Sequence, residues 1–418
     1  MARTIANIAK VIGSGLTPLR SNPLFWNSPD ISWLKTEQLG AHVIYDTKEY
    51  ISRKAMDETS IKLWPPHTVS IAMYGEGKTR GNVSIIMSEM TTNQACCNVI
   101  VDDSLADYRF LYYWLKYNYE HLRSLASGVR KNLNSDDIKN FPFPDFGLDY
   151  QISIAQVLSS IDDRIDNNNK ICTELESMAK TLYDYWFVQF DFPDENGKPY
   201  RTGGGKMKYS KPLKSMIPEG WIETVLSNIA YITMGQSPSG ESYNEAGEGE
   251  VFYQGSTDFG NRFPTPRVYT TAPSRFAKKG DILMSVRAPV GTLNIAMEDC
   301  CIGRGLSALN SKSGSQLHLL CVLTGYKMRF DAMNSNGTTF GSINKDQLSA
   351  LPVVAPPGDV LNRFETIVGP IEKKIEDCER QNRCLAKLRD WLLPMLMNGQ
   401  AVICDMEETM KLKNPRFL

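Results

Sequence analysis

The chain contains a long internal duplication. The segment Leu133–Pro142 aligns without a gap on Ile343–Pro352, an offset of 210 residues. The same offset relates Ile161–Ile165 to Ile371–Ile375 and Gly81–Ile85 to Gly291–Ile295. An offset that stays constant over roughly 100 residues indicates a duplicated unit, because stacking repeats recur every 20–50 residues or so. Two similar halves can build a pseudo-twofold molecule, which suits a target that is itself in two parts.

Length and charge set the first limits on function. A chain of 418 residues is long enough for two to four domains, and each half can bury its own core. Its 42% hydrophobic and 22% charged content is ordinary for a globular protein. With a net charge of −1, the whole chain is not a polycation. Any nucleic-acid binding must therefore use locally concentrated positive charge.

Targeting and redox signals favour a cytoplasmic protein. No apolar run reaches the length of a membrane span, and the first ten residues are too polar for a signal peptide. The nine cysteines form neither a CxxC motif nor a Cys/His cluster at zinc spacing. We expect free thiols, no metal site and no membrane association.

Composition shifts along the chain predict an α+β fold. Two similar domains with irregular β-sheet cores are separated by two long antiparallel helices, which form a coiled-coil spacer in a pseudo-twofold arrangement. The predicted segments are a first β-rich domain at 1–145, a first spacer helix at 146–190, a connector at 191–220, a second β-rich domain at 221–357, a second spacer helix at 358–400 and a tail at 401–418.

Apolar residues spaced alternately four and three apart predict the spacer seam. The packing residues are Ile161, Ile165, Cys172, Leu175, Leu182, Trp186, Ile371, Ile375, Leu385 and Leu392. Full overlap favours antiparallel partners whose numbers sum to 557, whereas a sum of 550 would place Asn168 against Asn382. Alternatively, each stripe packs only on its own domain. Gly369-Pro370 predicts a break before the second seam begins.

Basic loops are the candidate DNA-contacting sites. Residues 72–79 fit a loose phosphate-loop pattern, but the strand-like run after them contradicts it, since a real phosphate loop opens a helix. Basic or hydroxyl side chains beside glycine can reach phosphates or base edges. The predicted DNA-binding residues are Lys78, Arg80, Arg130, Lys131, Arg287, Arg304, Thr338 and Thr339. For any one of them, a solvated turn is the plain alternative.

Recognisable catalytic motifs are missing from the sequence. We find no Asn/Asp-Pro-Pro-Tyr/Phe methyltransferase tetrapeptide, no GxSxG and no HExxH. Gly203–Gly205 lie in a connector and do not join a strand to a helix. We therefore expect no catalytic residue in this chain.

Taken together, these features resemble the specificity subunit of type I restriction–modification systems, over essentially the whole chain. The resemblance is carried by Trp186–Tyr200, by Ile217–Trp221 and by two domain openings, Ile8–Pro18 and Ile229–Pro238. It implies a non-catalytic reader of double-stranded DNA in which each domain reads half of a split site. It also implies that the helices dock two modification (methyltransferase) subunits, and that restriction (translocase and nuclease) subunits join the complex.

The resemblance assigns no cofactor to this chain. S-adenosylmethionine, ATP and magnesium are expected in the partner subunits.

The length of the predicted spacer suits two readers on one DNA duplex. A helix of about 28 residues spans roughly 40 Å at 1.5 Å per residue, comparable to the ~34 Å between adjacent turns of B-DNA.

The alternative function is a coiled-coil adaptor that binds DNA without regard to sequence. A fused methyltransferase or nuclease is disfavoured, because the sequence lacks the motifs of these enzymes.

Overall fold

The computed structural model describes residues 3–75, 77, 79–126, 132–335 and 341–401, with the backbone alone at 333–335. The chain divides into two compact units. The first comprises Met1–Asn168 and Gln381–Leu418, and the second comprises Asn169–Arg380. Each unit therefore contains one β-rich domain together with a segment of each long helix.

The first unit contains the strands β1–β8 and the helices α1–α5. The strands are β1 Ala9–Ser14, β2 Ile31–Leu34, β3 Val43–Ile44, β4 Glu49–Ile51, β5 Thr68–Ala72, β6 Val83–Ile86, β7 Thr91–Thr92 and β8 Cys96–Val101. The helices are α1 Ile5–Ile8, α2 Arg53–Glu58, α3 Tyr108–Tyr117, α4 Tyr119–Ser124 and α5 Ser135–Lys139. A five-stranded sheet has the order β1-β8-β5-β6-β3, and a smaller sheet has the order β4-β2-β7.

The core of the first unit lies between the larger sheet and α3. Every residue of β5 and β6 is buried, as expected of strands covered on both faces. Phe110, Leu111, Tyr112 and Tyr113 of α3 are fully buried in the same cluster. Leu396 and Met397, near the C-terminus, also belong to it. The first domain is thus completed by residues from the far end of the sequence.

The second unit repeats this plan with β9–β21 and α7–α10. Its strands are β9 Met207–Ser210, β10 Ser215–Pro218, β11 Ile222–Val225, β12 Ala230–Met234, β13 Tyr243–Asn244, β14 Glu250–Tyr253, β15 Tyr269–Thr270, β16 Phe276–Ala277, β17 Ile282–Ser285, β18 Leu293–Ile295, β19 Cys300–Ile302, β20 Leu306–Ser311 and β21 Pro352–Ala355. Its short helices are α7 Leu226–Ile229, α8 Gln316–Gly325, α9 Lys327–Ser335 and α10 Lys345–Ser349.

The sheets of the second unit match those of the first. The order β12-β20-β17-β18 corresponds to β1-β8-β5-β6, and β15-β14-β19 corresponds to β4-β2-β7, with an antiparallel and a parallel pair in each three-strand set. β13 and β16 extend the second of these sheets. Two two-stranded sheets, β9-β10 and β11-β21, lie outside this shared plan.

Two long helices supply the segments common to both units. The first is α6 Leu148–Tyr183, and its counterpart in the duplication is α11 Gly358–Met397. The predicted break at Gly369-Pro370 is wrong, because α11 runs through both residues. Proline disfavours helical backbone at the preceding residue partly through that residue's Cβ, which glycine lacks. Burial of Phe364, Val368 and Ile375 on both sides of the proline holds the helix together.

Contacts between the long helices correct the predicted register. In the first unit, the side-chain amide of Asn168 donates to Asn382 Oδ1 at 2.9 Å. In the second unit, Trp186 lies in the π-helical turn Asp184–Val188 that continues α6, and it packs on Phe364 of α11 with ring centroids 5.7 Å apart. Both pairs sum to 550, so the sum of 557 is wrong. The first unit also pairs Asp162 with Arg389, and the second also brings Cys172 to Ile375. Within each unit the partner's number therefore falls as the residue number rises, so the paired segments run antiparallel.

The polar side chains explain this choice of register. A sum of 557 would place Asn168 opposite Arg389, which could donate to the amide oxygen but could not accept from the amide N–H groups. It would also place Asp162 opposite Met395 and so separate it from Arg389. Instead Arg389 Nη1 donates to Asp162 at 2.6 Å. An unsatisfied buried polar group costs about 1–3 kcal/mol, comparable to burying one further apolar side chain. The predicted seam residues are all buried or half-buried in this register.

Candidate nucleic-acid interface

The hairpin between β5 and β6 contains Arg80 of the first domain. A strand follows this loop, so residues 72–79 lack the helix that a phosphate loop requires. Arg80 is half-buried at the base of the hairpin. Beside it, Gly81 lies against Arg123 and Tyr119, where a Cβ would come within 2.8 Å of Arg123 Cγ. Arg123 Nη2 donates to the carbonyl of Gly77 at 2.9 Å and so ties the hairpin to α4.

Arg287 occupies the related hairpin of the second domain, between β17 and β18, and its side chain is exposed. In each domain the start of the duplicated motif is bonded to the residue that directly follows this hairpin's first strand. Leu133 N donates to Met73 O at 3.1 Å, and Ile343 N donates to Val286 O at 3.0 Å. Each hairpin therefore lies beside the residues that open the duplicated motif.

Five of the predicted contacts lie outside the described residues: Lys78, Arg130, Lys131, Thr338 and Thr339. They remain predictions.

Arg304 is exposed in a tight loop between β19 and β20. It lines a cavity of about 590 Å³ together with Gln254 and Arg267. The lining also includes Tyr243 and Phe252, which stack with centroids 4.8 Å apart. Sequence reasoning missed Gln254 and the aromatic pair, because no local pattern relates them to Arg304.

Carboxylates neutralise two other arginines of the second unit. Arg262 donates to Glu176 at 3.3 Å and to Glu372, and its side chain is only 13% exposed. Burial raises the pKa of Glu372, and the guanidinium of Arg262 opposes this rise. Arg267 donates to Asp258 at 2.8 Å. We assign Arg262 a structural role, since it joins the β-rich domain to both long helices within this unit.

A second cavity, of about 320 Å³, lies in the first domain and is lined by Arg20, Lys48 and Tyr50. Arg20 lies over the Trp26 ring at 3.7 Å from its centroid and forms an ion pair with Glu49 at 2.7 Å. Cation–π contacts of this kind orient a guanidinium at a surface. No sequence motif singled out this site.

In the described part of the chain we find neither a metal site nor a reactive thiol. Across those residues, no group of three or more His, Cys, Asp or Glu side chains could hold a metal ion, and the cysteines are free. Burial raises the pKa values of Cys96 and Cys97 to about 12. These thiols therefore stay protonated and act as small core residues. None of the described helices is both long and apolar enough to cross a membrane.

Comparisons with known proteins agree with this architecture. The family described as Type I restriction modification DNA specificity domain matches residues 1–177 and 218–361. The chain is 30% identical to the putative type I restriction enzyme MjaX specificity subunit of Methanocaldococcus jannaschii over 275 residues, 65% of this chain and 62% of that protein. It is 27% identical to the MjaIX specificity subunit of the same organism over 95% of this chain and 92% of that protein.

The fold is similar to a crystal structure of the type I restriction–modification S subunit from M. genitalium, with a TM-score of 0.60, 18% identity and coverage of 97% of this chain and 96% of that one. The family match spans most of the chain and falls on both β-rich domains. The chain therefore belongs to the type I restriction–modification specificity family, the non-catalytic subunits that recognise the DNA target site.

Proposed function

We propose that the two β-rich domains each read one half of a bipartite site in double-stranded DNA. The observation that carries this proposal is the repetition of the same exposed loops in both domains. The β5–β6 and β17–β18 hairpins adjoin the duplicated motif in the same way, through the bonds from Leu133 and Ile343. One chain with two equivalent reading loops suits a target with two separate parts.

The predicted contacts divide between the half-sites. Arg80, Arg130 and Lys131 serve the first half, and Arg287, Arg304 and Thr338 serve the second. Arginine and lysine reach phosphates and guanine edges, and their positive charge is local in a chain of net charge −1. Loss of a phosphate contact should weaken binding to all sequences and lower the salt slope by about one.

The long helices form a coiled-coil spacer between the two reading domains. The α6 and α11 helices have 36 and 40 residues, or about 54 and 60 Å at 1.5 Å per residue. Helices of this length are sufficient to separate two readers by one ~34 Å turn of DNA. The antiparallel contacts observed within each unit support this function.

Two modification subunits dock on the outer surface of this spacer. The support is a pair of exposed apolar residues at duplicated positions, Met178 (59% exposed) and Leu388 (44% exposed). Trp391, 58% exposed, extends the second of these surfaces. Two related apolar surfaces fit two copies of one partner. S-adenosylmethionine, ATP and magnesium then belong to the modification and restriction subunits, and the complex works in the cytoplasm.

Exchange of residues 1–140 for the matching domain of a relative tests whether each domain reads its own half-site. The exchanged chain is assembled with its modification subunits, and the methylated sites are mapped by sequencing. The recognised bases should change on one side of the gap and stay the same on the other. If both sides change, or neither does, the proposal that the two domains read separate half-sites is wrong. A sequence-independent adaptor would instead bind all duplexes equally.

A further inference from the structure

We infer that Gln94 and Arg304 occupy the same position in the two recognition domains and read a base edge there, which makes them a pair of specificity-determining residues. This inference rests on the proposed half-site reading. Position 94 was not recognised as a functional site from the sequence, since glutamine in a surface loop carries no motif. The backbone hydrogen bonds around the two residues establish their equivalence.

Both residues sit second in a four-residue turn. Cys96 N donates to Asn93 O at 3.1 Å in the first domain, and Leu306 N donates to Gly303 O at 2.9 Å in the second. The turn is anchored in the same way to the neighbouring strand. Asn93 N donates to Leu34 O at 2.9 Å.

In the second domain, the matching bond runs from Gly303 N to Tyr253 O at 2.8 Å. The opening segment of each domain is hydrogen-bonded to the last residue of the turn. Gly15 N donates to Cys96 O at 3.2 Å, and Gly235 N donates to Leu306 O at 2.9 Å. The two loops are thus held by the same set of backbone bonds.

A hydroxyl group stands beside each position. Thr17 donates to the side-chain oxygen of Gln94, and Ser237 Oγ accepts from Arg304 N at 3.2 Å. The hydroxyl contacts the side chain in one domain and the backbone in the other. Gln94 retains acceptor capacity, because an amide oxygen has two lone pairs.

Close packing fixes the backbone of the Arg304 loop. A Cβ on Gly305 would lie 2.6 Å from Gln254 O, and one on Gly303 would lie 3.0 Å from Gln254 Cα. Only glycine permits this approach. The loop therefore presents its central side chain from a rigid support, which lowers the entropy cost of binding.

The side chains at the two positions differ in what they can read. Arg304 and Gln94 are both exposed. In the described part of the chain no carboxylate forms an ion pair with Arg304, whereas Arg267 in the same cavity is paired with Asp258. Arginine forms paired hydrogen bonds with guanine, and glutamine forms them with adenine. The structure thus assigns a guanine edge to the second domain and an adenine edge to the first.

A selection experiment on the assembled complex tests this assignment. The full chain with its modification subunits is incubated with duplexes of randomised sequence, and the bound DNA is sequenced. For Arg304→Gln, the preference for guanine at one base pair of one half-site should fall by about 5- to 150-fold, while the other half-site stays unchanged. Gln94→Arg should alter one base pair in the opposite half-site. Arg304→Lys keeps the charge and should also lose guanine discrimination.

Arg201→Gln is the matched control, because Arg201 is an exposed arginine of the connector. It removes the same charge and should leave the selected sequence unchanged. Equal weakening of all sequences by Arg304→Gln would identify a phosphate contact and overturn the inference, as would an unaltered selected site. If the wild-type complex selects no sequence at all, the proposed function itself fails.

Discussion

Asn168 donates a hydrogen bond to Asn382 at 2.9 Å, and the two side chains are 2% and 8% exposed. They lie on the two long helices, at facing positions of an otherwise largely apolar seam. The two amides face each other in the register whose pairs sum to 550. A single buried polar pair of this kind can specify a coiled-coil register.

Replacing one member of this pair should cost stability. Asn168→Leu removes the buried hydrogen bond to Asn382 Oδ1, so we expect a loss of about 1–3 kcal/mol in the free energy of unfolding, measured by chemical denaturation. Replacing both with leucine should recover most of that loss. Asn167→Leu, at an exposed position on the same helix, is the control and should have little effect. A harmless Asn168→Leu would show that the pair does not specify the register.

Breaking the buried ion pair of the first unit should cost more unfolding free energy than breaking the asparagine pair. Asp162, with a side chain 3% exposed, accepts from Arg389 at 2.6 Å and from the Tyr113 hydroxyl at 2.7 Å. Asp162→Ala leaves the mostly buried guanidinium of Arg389 with only the exposed Asp390 as its counter-ion and removes the acceptor of the Tyr113 hydroxyl. We expect a loss of roughly 3 kcal/mol in thermal or chemical unfolding, the lower end of the cost of breaking a buried pair. Leucine at both 162 and 389 should be far less harmful. Asp163→Ala, one residue along and exposed, provides the comparison.

His318 should make the second unit sensitive to acid. Burial lowers the pKa of His318 from 6.5 to about 4, beside Tyr183 and Phe187. The folded pKa is lower than the unfolded one, so unfolding takes up a proton between these values. Stability is complete above about pH 6.5 and falls by about 3 kcal/mol as the pH drops to 4.

Denaturation curves at several pH values check this expectation. His318→Leu should flatten the change in unfolding free energy between pH 6.5 and 4. His121→Leu, at an exposed histidine, should retain it. An identical pH profile for His318→Leu and the wild type would contradict the assignment to His318.

The exposed apolar side chains of α11 should matter for assembly and not for folding. Trp391→Ala combined with Leu388→Ala should weaken binding of one modification subunit, measured by the stoichiometry of the complex in analytical ultracentrifugation. The melting temperature should stay close to that of the wild type, because both side chains are largely exposed. Lys387→Ala, also exposed on α11, is the control. Unchanged stoichiometry would exclude this surface as the docking site.

Lys78→Ala should leave the ATPase rate of the assembled complex nearly unchanged. The strand β6, and not a helix, follows its loop, so the loop cannot hold a nucleotide in the manner of a phosphate loop. Any effect should be on DNA affinity, measured by fluorescence anisotropy at several salt concentrations. Loss of ATP binding with intact DNA binding would reverse this interpretation.

The sequence by itself determined the duplication, the two helical seams and the family. A constant offset and a four-three spacing can be recognised from the order of the residues, without knowledge of the fold. The sequence also excluded a phosphate loop, because the alternation after residue 79 already has the period of a strand.

Only the tertiary structure decided the register, the continuity of α11 and the common backbone environment of Gln94 and Arg304. The register depends on which polar groups meet across two distant segments, as Asn168 and Asn382 do. The helix continues through Pro370 because packing on Phe364 and Ile375 outweighs the local preference to break. The offset of 210 residues also relates Gln94 to Arg304, but their common turn depends on backbone bonds to strands far away in sequence. These outcomes depend on long-range contacts, which a residue's neighbours in the chain do not encode.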